Sequence, residues 1–510
     1  MWMVRDPNIA AVRERPGFET AARAVGGVLL LLVAAGALAA GVLALGIGDR
    51  DPLDVRVAEI AADASAAARS ASDPLAWSPP RREQFEGRAA IGTSHVLYAK
   101  SPGGAPASAR RTARWRPEVE VAAKRHDVDP DTLEAIIFLE SAGRPDVMAG
   151  PTPEAASGLA QIIPSTAIDL LGMDVNLPVS IALTERIAKS TSAQEAARLR
   201  KQRAEVDERF VPDAAIEGAA TYLDIANERF GDPGLAVASY HMGIGNLENV
   251  IRAYAGASDS EVVRGLVAAE GLSYAQLYFD SGPDSHREAY ERLSSFGDES
   301  SEYLWKVLAS EQIMERYSSD PDGLERTAEL ATAKATLEEV FHPSDQTEVF
   351  EEPDDVEAAL RDGDLVPLPD SPGLGWTVDP QMGELASELD REPELYRALR
   401  PEALAALSYM ATTVRELSGA FAPLRITSAV RDRAYQELLI GSNVEATSEY
   451  SLHTTGWSFD VLREYENRRQ AEAFQFTLDR LSALALLDYA VEPGAIHVTV
   501  SALGRQLLSD

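Results

Sequence analysis

Glu140 is the residue whose surroundings best suit acid–base chemistry on a sugar. It follows the apolar residues 136–139 at the expected end of a helix, half in a core and half at a cleft. Cleavage of a glycosidic bond requires a carboxylic acid that protonates the leaving oxygen, and an apolar setting favours the protonated acid. Two motifs follow, Ser-Gly-Leu-Ala-Gln-Ile at 157–162 and Ala-Ser-Tyr-His-Met-Gly-Ile-Gly at 238–245, and their glycines permit a close approach of backbone and sugar. Taken alone, Glu140 has the alternative of a solvent-facing acid at a helix end.

A second group of residues, near the C-terminus, has the types and spacing of a metal site. His453 and Asp460 are seven positions apart with Gly456 between them to permit a turn, and His497 follows on a predicted strand. Catalytic zinc takes three protein ligands and leaves a fourth position open for water. Since the chain has no cysteine, any zinc would have to be bound by histidine and carboxylate side chains.

The motifs around Glu140 resemble those of the lytic transglycosylases of the goose-lysozyme, soluble lytic transglycosylase kind, over about residues 112–320. The resemblance implies a mainly helical, lysozyme-like domain in which Glu140 acts first as the acid and then as the base. The N-acetyl and hydroxyl groups of the substrate then complete the reaction and give a 1,6-anhydro-muramic product without water. The resemblance also implies that Gln161 and Tyr240 line the cleft and that Ser141 supports the substrate site next to the acid.

The chain departs from that family at two positions. His241 stands where the family often has Asn, and Ala160 where it often has Met. For Tyr240 the alternative is a core aromatic residue, which is the commoner role for a buried aromatic side chain on a helix. Residues 180–208 are charged and helical in composition, and we predict that they form a helical insertion in this domain.

The order of metal-capable residues at the C-terminus resembles that of the zinc D-Ala-D-Ala carboxypeptidases and the Hedgehog-type fold, over about residues 396–505. The resemblance implies an α+β domain that binds Zn²⁺ through three ligands, which are His453, Asp460 and His497. Upstream, residues 426–431 and Gln436 are similar to the family's Ser-Gly-Tyr-Arg-Ser…Gln region. It therefore implies that Arg431, together with Gln436, binds the terminal carboxylate of the substrate or the transition state.

The catalytic base of this second domain is open. The family usually has a glutamate about three residues before the last histidine, where this chain has Gly494. Glu492 lies five residues before His497 and is the candidate base. A two-residue turn centred on Pro493 and Gly494 would put Glu492 on the same face as His497, whereas a three-residue loop would turn it to the other face.

Peptidoglycan is the common polymer that contains both the glycan bond and the peptide bonds that these two families cleave. The two resemblances together predict a peptidoglycan-degrading enzyme with two catalytic domains. Two alternatives stay open: an active transglycosylase whose C-terminal domain only binds peptidoglycan, and an envelope scaffold without catalysis. The sequence predicts no particular protein partner.

Composition and the N-terminal residues bear on location. Lys and Arg number 47 against 81 Asp and Glu, so the formal net charge is −34, which argues against nucleic acid as a partner. Residues 24–48 carry no charge and as a helix would extend about 37 Å, enough to span a hydrocarbon core of about 30 Å. The arginines before this segment would keep residues 1–23 in the cytoplasm. We therefore predict single-pass anchoring in the inner (cytoplasmic) membrane with the catalytic domains on the periplasmic side; a cleaved signal peptide is the alternative.

The predicted chain is multidomain. Its segments are a cytoplasmic tail (1–23), a transmembrane helix (24–48), a tether (49–112), a lytic transglycosylase-like domain (113–342), an acidic Pro-rich linker (343–375) and a zinc D-Ala-D-Ala carboxypeptidase-like domain (376–510). Helix starts are predicted at Asp129–Pro130 and at Pro212, with further helices at 235–240, 301–317 and 401–417. Strands are predicted at 424–428 and 456–462, and a hairpin at 488–500.

Overall fold

A computed structural model describes residues 52–70, 73–297, 299–333, 336–440 and 450–508. The described residues form two compact units. Unit 1 comprises Leu75–Pro343 and Arg480–Ala485, and unit 2 comprises the described residues up to Pro74, Ser344–Asp479 and those from Leu486 onward. The predicted cytoplasmic tail (1–23) and transmembrane helix (24–48) lie outside the described residues. Among the residues that are described, no helix is long and apolar enough to cross a membrane.

Unit 1 is built from helices. Helix α1 (Pro52–Ala67) precedes them in the chain and belongs to unit 2. The helices of unit 1 are α2 (Arg82–Thr93), α3 (His95–Lys100), α4 (Ala105–Thr112), α5 (Arg116–His126), α6 (Pro130–Ser141), α7 (Leu177–Lys189), α8 (Ala193–Ala204), α9 (Pro212–Phe230), α10 (Pro233–Met242), α11 (Ile244–Ala255), α12 (Val263–Glu270), α13 (Tyr274–Phe279), α14 (Arg287–Ser295), α15 (Tyr303–Ser319), α16 (Pro321–Ala333) and α17 (Glu338–Phe341).

The helix that carries Glu140 begins and ends through local chemistry. The Asp129 carboxylate accepts a hydrogen bond from the Asp131 N–H at 2.8 Å, and Pro130 occupies the first turn, so the predicted start is confirmed. Ala142 adopts the left-handed conformation at φ 53° and donates its N–H to the Phe138 carbonyl at 2.9 Å, which closes the helix. Glu140 therefore lies in the last turn, where its side chain can leave the core.

One hydrophobic core holds the elements of the Glu140 region together. The apolar faces of α6, α9, α11 and α15 meet there, and their fully buried members include Ile136, Leu223, Val250 and Trp305. Full burial of such a side chain contributes about 1.5–3 kcal/mol. The predicted helices at 212, 235–240 and 301–317 are confirmed as α9, α10 and α15.

The segment predicted as a tether, residues 49–112, is mostly helical in its described part. That stretch forms helices α1 to α4, and the buried apolar residues of α1 are Val57, Ile60, Ala61 and Ala64. They recur at the three- and four-residue spacing of one helical face, so an Ala-rich composition packs here as a helix. In unit 1, Phe85 and Ala89 are fully buried as well.

The segment predicted as an insertion at 180–208 is largely a pair of helices, α7 and α8. Most of α8 is exposed, while Leu199 and Arg203 are buried. Residues 208–210 then form a short 3-10 turn that leads into α9. Arg209 and Phe210 of this turn are buried directly before α9.

Unit 2 combines helices with a mixed sheet. Its further elements are β1 (Val366–Pro367), β2 (Trp376–Val378), β3 (Ala398–Leu399), β4 (Leu424–Ser428), β5 (Ser458–Leu462), β6 (Leu487–Val491), β7 (Ala495–Val500), α18 (Pro353–Asp362), α19 (Pro401–Ser418), α20 (Arg433–Ile440) and α21 (Arg468–Ala483). Five strands form one sheet in the order β2-β4-β5-β7-β6, with β2 parallel to β4 and the other neighbours antiparallel. The predicted helix at 401–417, both strands and the hairpin are confirmed, as is the α+β character of this region.

The linker predicted at 343–375 is wrong, because this segment is part of unit 2. Helix α18 begins with a capping box between Glu352 and Asp355. Its Val356 and Ala359 are buried in a cluster with Leu365 and Ala398, together with Phe350 and Val430. The acidic residues within this helix are mostly exposed, so the acidic composition concealed an amphipathic helix.

Candidate functional sites

Glu140 is half-buried and has one carboxylate oxygen held by a tyrosine. The Tyr303 hydroxyl donates a hydrogen bond of 2.6 Å to Glu140 Oε1, and Tyr303 is only 2% exposed. Burial and the neighbouring Glu140 charge raise the pKa of Tyr303 well above its usual range, so this hydroxyl keeps its proton and remains a donor. The sequence predicted the helix that begins with Tyr303 but not this contact, which joins residues 163 positions apart.

Tyr240 connects the motifs to each other. Its ring lies parallel to that of Tyr303 with centroids 6.0 Å apart and meets the Tyr222 ring edge-on at 5.0 Å. Its hydroxyl donates to the Ala160 carbonyl at 2.9 Å. The segments 157–162 and 238–245 therefore converge near Glu140. Tyr240 is half-buried, and its predicted contact with substrate stays a prediction.

Gln161 lies at the turn of the loop 157–162. It adopts a positive φ of 49°, and its Nε2 donates to the Gly158 carbonyl at 2.8 Å and the Val147 carbonyl at 3.2 Å. Its side-chain oxygen has no partner among the described residues, so it can accept a bond from a sugar hydroxyl. Gly158 has φ 80°, and a Cβ there would lie 1.7 Å from the Arg209 carbonyl oxygen, so this position requires glycine.

A buried ion pair supports the loop 157–162. Asp207 and Arg209 are both fully buried, with Arg209 Nη2 2.7 Å from Asp207 Oδ2. The same guanidinium donates to the carbonyls of Pro153 at 2.8 Å and Ile162 at 3.2 Å, which lie on either side of the loop. The sequence does not reveal this pair, because two charged residues in a charged segment carry no signal of burial.

Two other motif residues have different surroundings. Ser141 is 1% exposed, and its hydroxyl donates to the Ile137 carbonyl at 3.0 Å. The hydroxyl therefore bonds within its own helix, directly after the acid, and the substrate-binding role of Ser141 stays a prediction. His241 is exposed, lies over the Tyr303 ring at 5.3 Å and has Nδ1 2.8 Å from Ser300 Oγ.

In unit 2, the three predicted metal ligands lie together. Strand pairing sets Asp460 of β5 directly opposite His497 of β7, and His453 lies on the short 3-10 turn before β5. One ligand atom from each lies within 4.8 Å of the others. His453 Nε2 is 3.2 Å and His497 Nδ1 is 2.9 Å from Asp460 Oδ1.

The hydrogen bonding of His453 leaves a lone pair aimed into this cluster. Its Nδ1 lies 2.8 Å from the Ala429 carbonyl, which can only accept, so Nδ1 carries the proton. Burial lowers the pKa of His453 and favours the neutral ring. Nε2 then presents a lone pair to Asp460 Oδ1, and two acceptors at that distance suit a cation between them.

Arg431 and Gln436 adjoin the cluster. Arg431 Nη1 donates to Gln436 Oε1 at 2.9 Å, its Nη2 donates to Ser428 Oγ at 2.6 Å, and Nη2 lies 3.7 Å from Asp460 Oδ2. Gln436 is 4% exposed. Gln436 therefore orients the guanidinium, and Arg431 is the group closer to the metal-capable residues.

The turn before His497 has the two-residue form. Val491 pairs with Ile496, and the Glu492 N–H donates to the Ala495 carbonyl at 3.0 Å, so Pro493 and Gly494 alone form the loop. Alternation along the strand then puts Glu492 on the face that carries His497. Of the two alternatives left open by the sequence, this is the one compatible with a base at Glu492.

Part of unit 1 matches a known protein family. Residues 118–179 and 186–263 match the family model described as "Transglycosylase SLT domain". The matched residues lie in unit 1 and include Glu140, Gln161 and Tyr240, and the two matched parts are separated within α7. The match indicates a lytic transglycosylase that acts on peptidoglycan. No curated protein matches the chain.

Proposed function

We propose that the chain is a peptidoglycan-degrading enzyme of the cell envelope with two catalytic centres. Glu140 is the acid/base that cleaves the bond between N-acetylmuramic acid and N-acetylglucosamine, and unit 2 is a zinc-dependent peptidase that acts on stem peptides. The observation that carries the first assignment is the hydrogen bond from Tyr303 to Glu140, at the carboxyl around which the matched motifs converge.

At the first centre, the proposed reaction needs one carboxyl group. Glu140 protonates the glycosidic oxygen as the bond breaks. The resulting carboxylate then takes the proton from the C6 hydroxyl of the muramic acid, whose oxygen bonds to C1 and closes the 1,6-anhydro ring. Tyr303 donates throughout to Oε1 and so fixes the orientation of the carboxyl. The side-chain oxygen of Gln161 is available to a sugar hydroxyl.

The second centre has a donor set that fits zinc. Two imidazoles and one carboxylate are a common ligand set for catalytic Zn²⁺. The Ala429 carbonyl orients His453 in the way that outer hydrogen-bond partners orient zinc ligands. When bound by His453, Asp460 and His497, zinc would supply Lewis acidity toward a peptide carbonyl and toward water.

The residues of the chain supply the remaining functions of the peptidase. Arg431, oriented by Gln436 and Ser428, binds the terminal carboxylate of a stem peptide. Glu492 takes the proton of the attacking water and passes it to the leaving amine. The hairpin register that puts Glu492 on the face of His497 supports this role. If Glu492 does not act so, unit 2 is a peptidoglycan-binding module instead.

The location is part of the proposal. Residues 24–48 would anchor the chain in the cytoplasmic membrane and leave both units on the periplasmic side, where peptidoglycan lies. A reporter fused after residue 60 is expected outside the cytoplasm. A mature protein that begins beyond residue 48 would contradict the anchor and indicate a cleaved signal.

One experiment tests both activities. Purified peptidoglycan is digested with the protein, and the products are identified by mass spectrometry. Anhydro-muropeptides are expected from the first centre, and shortened stem peptides, dependent on zinc, from the second. Hydrated reducing ends in place of anhydro ends would refute the transglycosylase mechanism. Unaltered stem peptides would favour the binding-module alternative, and an unaltered polymer would favour the scaffold.

A further inference from the structure

A cavity of about 430 Å³ in unit 1 adjoins the loop that follows the Glu140 helix. Three arginines and a tryptophan line it, namely Arg111, Arg114, Arg144 and Trp115, together with residues 143–147 of the loop. The chain has a formal net charge of −34, so a concave surface lined mainly by arginines is unusual in it.

The positive charge of this cavity is not balanced by its own lining. Asp146 is the one carboxylate among the lining residues, and its oxygens lie 3.3 Å from Arg200 Nε and 3.8 Å from Arg203 Nη2. Among the residues that the structure describes, Arg114 and Arg144 have no carboxylate within ion-pair distance. The cavity therefore has room and charge for an anion.

The lining groups are fixed in advance. Arg111 Nε donates to the Ala142 carbonyl at 3.0 Å, Arg144 Nε donates to the Ser141 carbonyl at 2.9 Å, and Trp115 Nε1 donates to the Gly143 carbonyl at 3.0 Å. These bonds hold the stems of both arginines and leave both terminal nitrogens of Arg144 for a ligand. Burial and then the charges of Arg144 and Arg114 lower the pKa of Arg111. The like charges therefore repel one another, and a bound anion would relieve this repulsion.

The cavity shares a wall with the glycan motif. Val147 lines it, and the Val147 carbonyl accepts from the Gly158 N–H at 2.8 Å and from Gln161 Nε2 at 3.2 Å. A polymer bound along the loop 157–162 would therefore have this cavity within reach of its substituents. The substituents of peptidoglycan that carry negative charge are attached to the muramic acid.

We propose that this cavity is a carboxylate subsite that recognises the acidic substituent of muramic acid. The proposal rests on the proposed function and refines its substrate. Guanidinium groups bind carboxylates through paired, charge-assisted hydrogen bonds, and the Trp115 ring offers an apolar wall beside them. The carboxylate has two possible sources: the stem peptide, or the lactyl group of strands that have lost their peptide.

The test compares two double variants of the full-length protein. Arg114→Gln with Arg144→Gln removes two charges from the cavity. Arg110→Gln with Lys124→Gln removes two exposed charges from nearby helices that do not line it. Three substrates are used: glycan strands with stem peptides, the same strands with their carboxylates amidated, and strands stripped of stem peptides by an amidase.

The cavity variant is expected to raise KM about tenfold or more on strands with free stem carboxylates, the size of effect for charged hydrogen bonds. The control should not. The rise should vanish on amidated strands. A rise in KM on the stripped strands alone would assign the lactyl carboxylate as the ligand. An unchanged KM in the cavity variant on both the strands with stem peptides and the stripped strands, or an equal rise on amidated strands, would overturn the subsite.

Binding separates this proposal from the proposed function. Strands with stem peptides and, separately, strands stripped of them are titrated into Glu140→Gln protein, with and without the cavity substitutions, by calorimetry. Tenfold weaker binding in the cavity variant would support the subsite even if the intact protein released no anhydro products, a result that would refute only the proposed reaction. Equal binding of both kinds of strand by the two proteins would refute the subsite.

Discussion

The two candidate centres control charge by opposite means. At Glu140, a single carboxyl is bonded by the neutral hydroxyl of Tyr303 and has the Tyr240 ring nearby. In unit 2, ligand atoms of one carboxylate and two imidazoles lie within 4.8 Å of one another, and the Arg431 guanidinium lies 3.7 Å from the Asp460 carboxylate. At the first centre the Glu140 carboxyl is the one group that can gain and lose a proton. At the second centre, the carboxylate and the imidazole lone pairs together suit a bound cation.

The two centres should therefore lose activity in different ways when their residues are substituted. A centre built on one carboxyl has no substitute when that carboxyl is removed. A centre built on several ligands loses the metal first and the chemistry as a consequence. Substitutions at each centre therefore separate loss of a proton donor from loss of a binding site.

The largest effect is expected from Glu140→Gln. This change removes the proton donor without changing the size of the side chain and should lower the release of anhydro-muropeptides by about 10²–10⁴-fold. Mass spectrometry of digested peptidoglycan measures the release, and circular dichroism checks the fold. Glu315→Gln, on an exposed position of α15, is the control. Persistent cleavage by the Glu140 variant would mean that another group supplies the proton.

His453→Ala should next abolish zinc binding and, with it, peptide cleavage. Loss of an outer hydrogen-bond partner costs about 10–100-fold in metal affinity, so loss of a ligand should cost more. Zinc per chain, measured by elemental mass spectrometry after dialysis, should fall from about one to nearly zero. The His95→Ala control, in unit 1, should retain the metal. A wild-type protein that stays metal-free at saturating zinc would contradict the zinc centre.

Glu492→Gln should separate the metal from the base. Zinc content should stay at the wild-type level, while cleavage of stem peptides falls by about 10²–10⁴-fold. Glu464→Gln, an exposed neighbour of β5, should leave both unchanged. Full peptide cleavage by the Glu492 variant would assign the base to another residue.

The smallest effect should come from Tyr303→Phe. The change removes one hydrogen bond to a charged group, a loss of about 1.5–3 kcal/mol that corresponds to about 10- to 150-fold in kcat. Tyr274→Phe removes a comparable bond of 2.8 Å to a neutral carbonyl and should leave kcat nearly unchanged. Equal rates for wild type and the Tyr303 variant would show that Glu140 does not need this partner.

The two regions also differ in how far the sequence could predict them. In unit 2, strand alternation can be read from sequence and predicts which residues share a face, but the length of the turn that puts Glu492 on the face of His497 came from the structure. In unit 1, the sequence located Glu140 and the helix start at Asp129. The bond from Tyr303 depends on how two distant helices pack, which no local pattern encodes.

Composition misled the prediction in two segments. Both were assigned as connections because their residues are polar, acidic or small, yet Val57 and Ile60 in one and Val356 and Ala359 in the other recur with helical spacing. A few apolar residues on one face suffice to bury a helix whose average composition is polar. The spacing of the apolar residues therefore predicted the helices better than the average composition did, and helical spacing was present in both segments.

The buried pair of Asp207 and Arg209 has a consequence for protein engineering. Arg209 holds the loop 157–162 through main-chain carbonyls at Pro153 and Ile162, so this support does not depend on the side chains of the residues that accept the bonds. Positions such as Glu154, which extends into solvent from the same stretch, can therefore be randomised in a library while the backbone path persists. Gly158 is the exception that such a library would have to leave fixed, because any larger residue would collide with the Arg209 carbonyl.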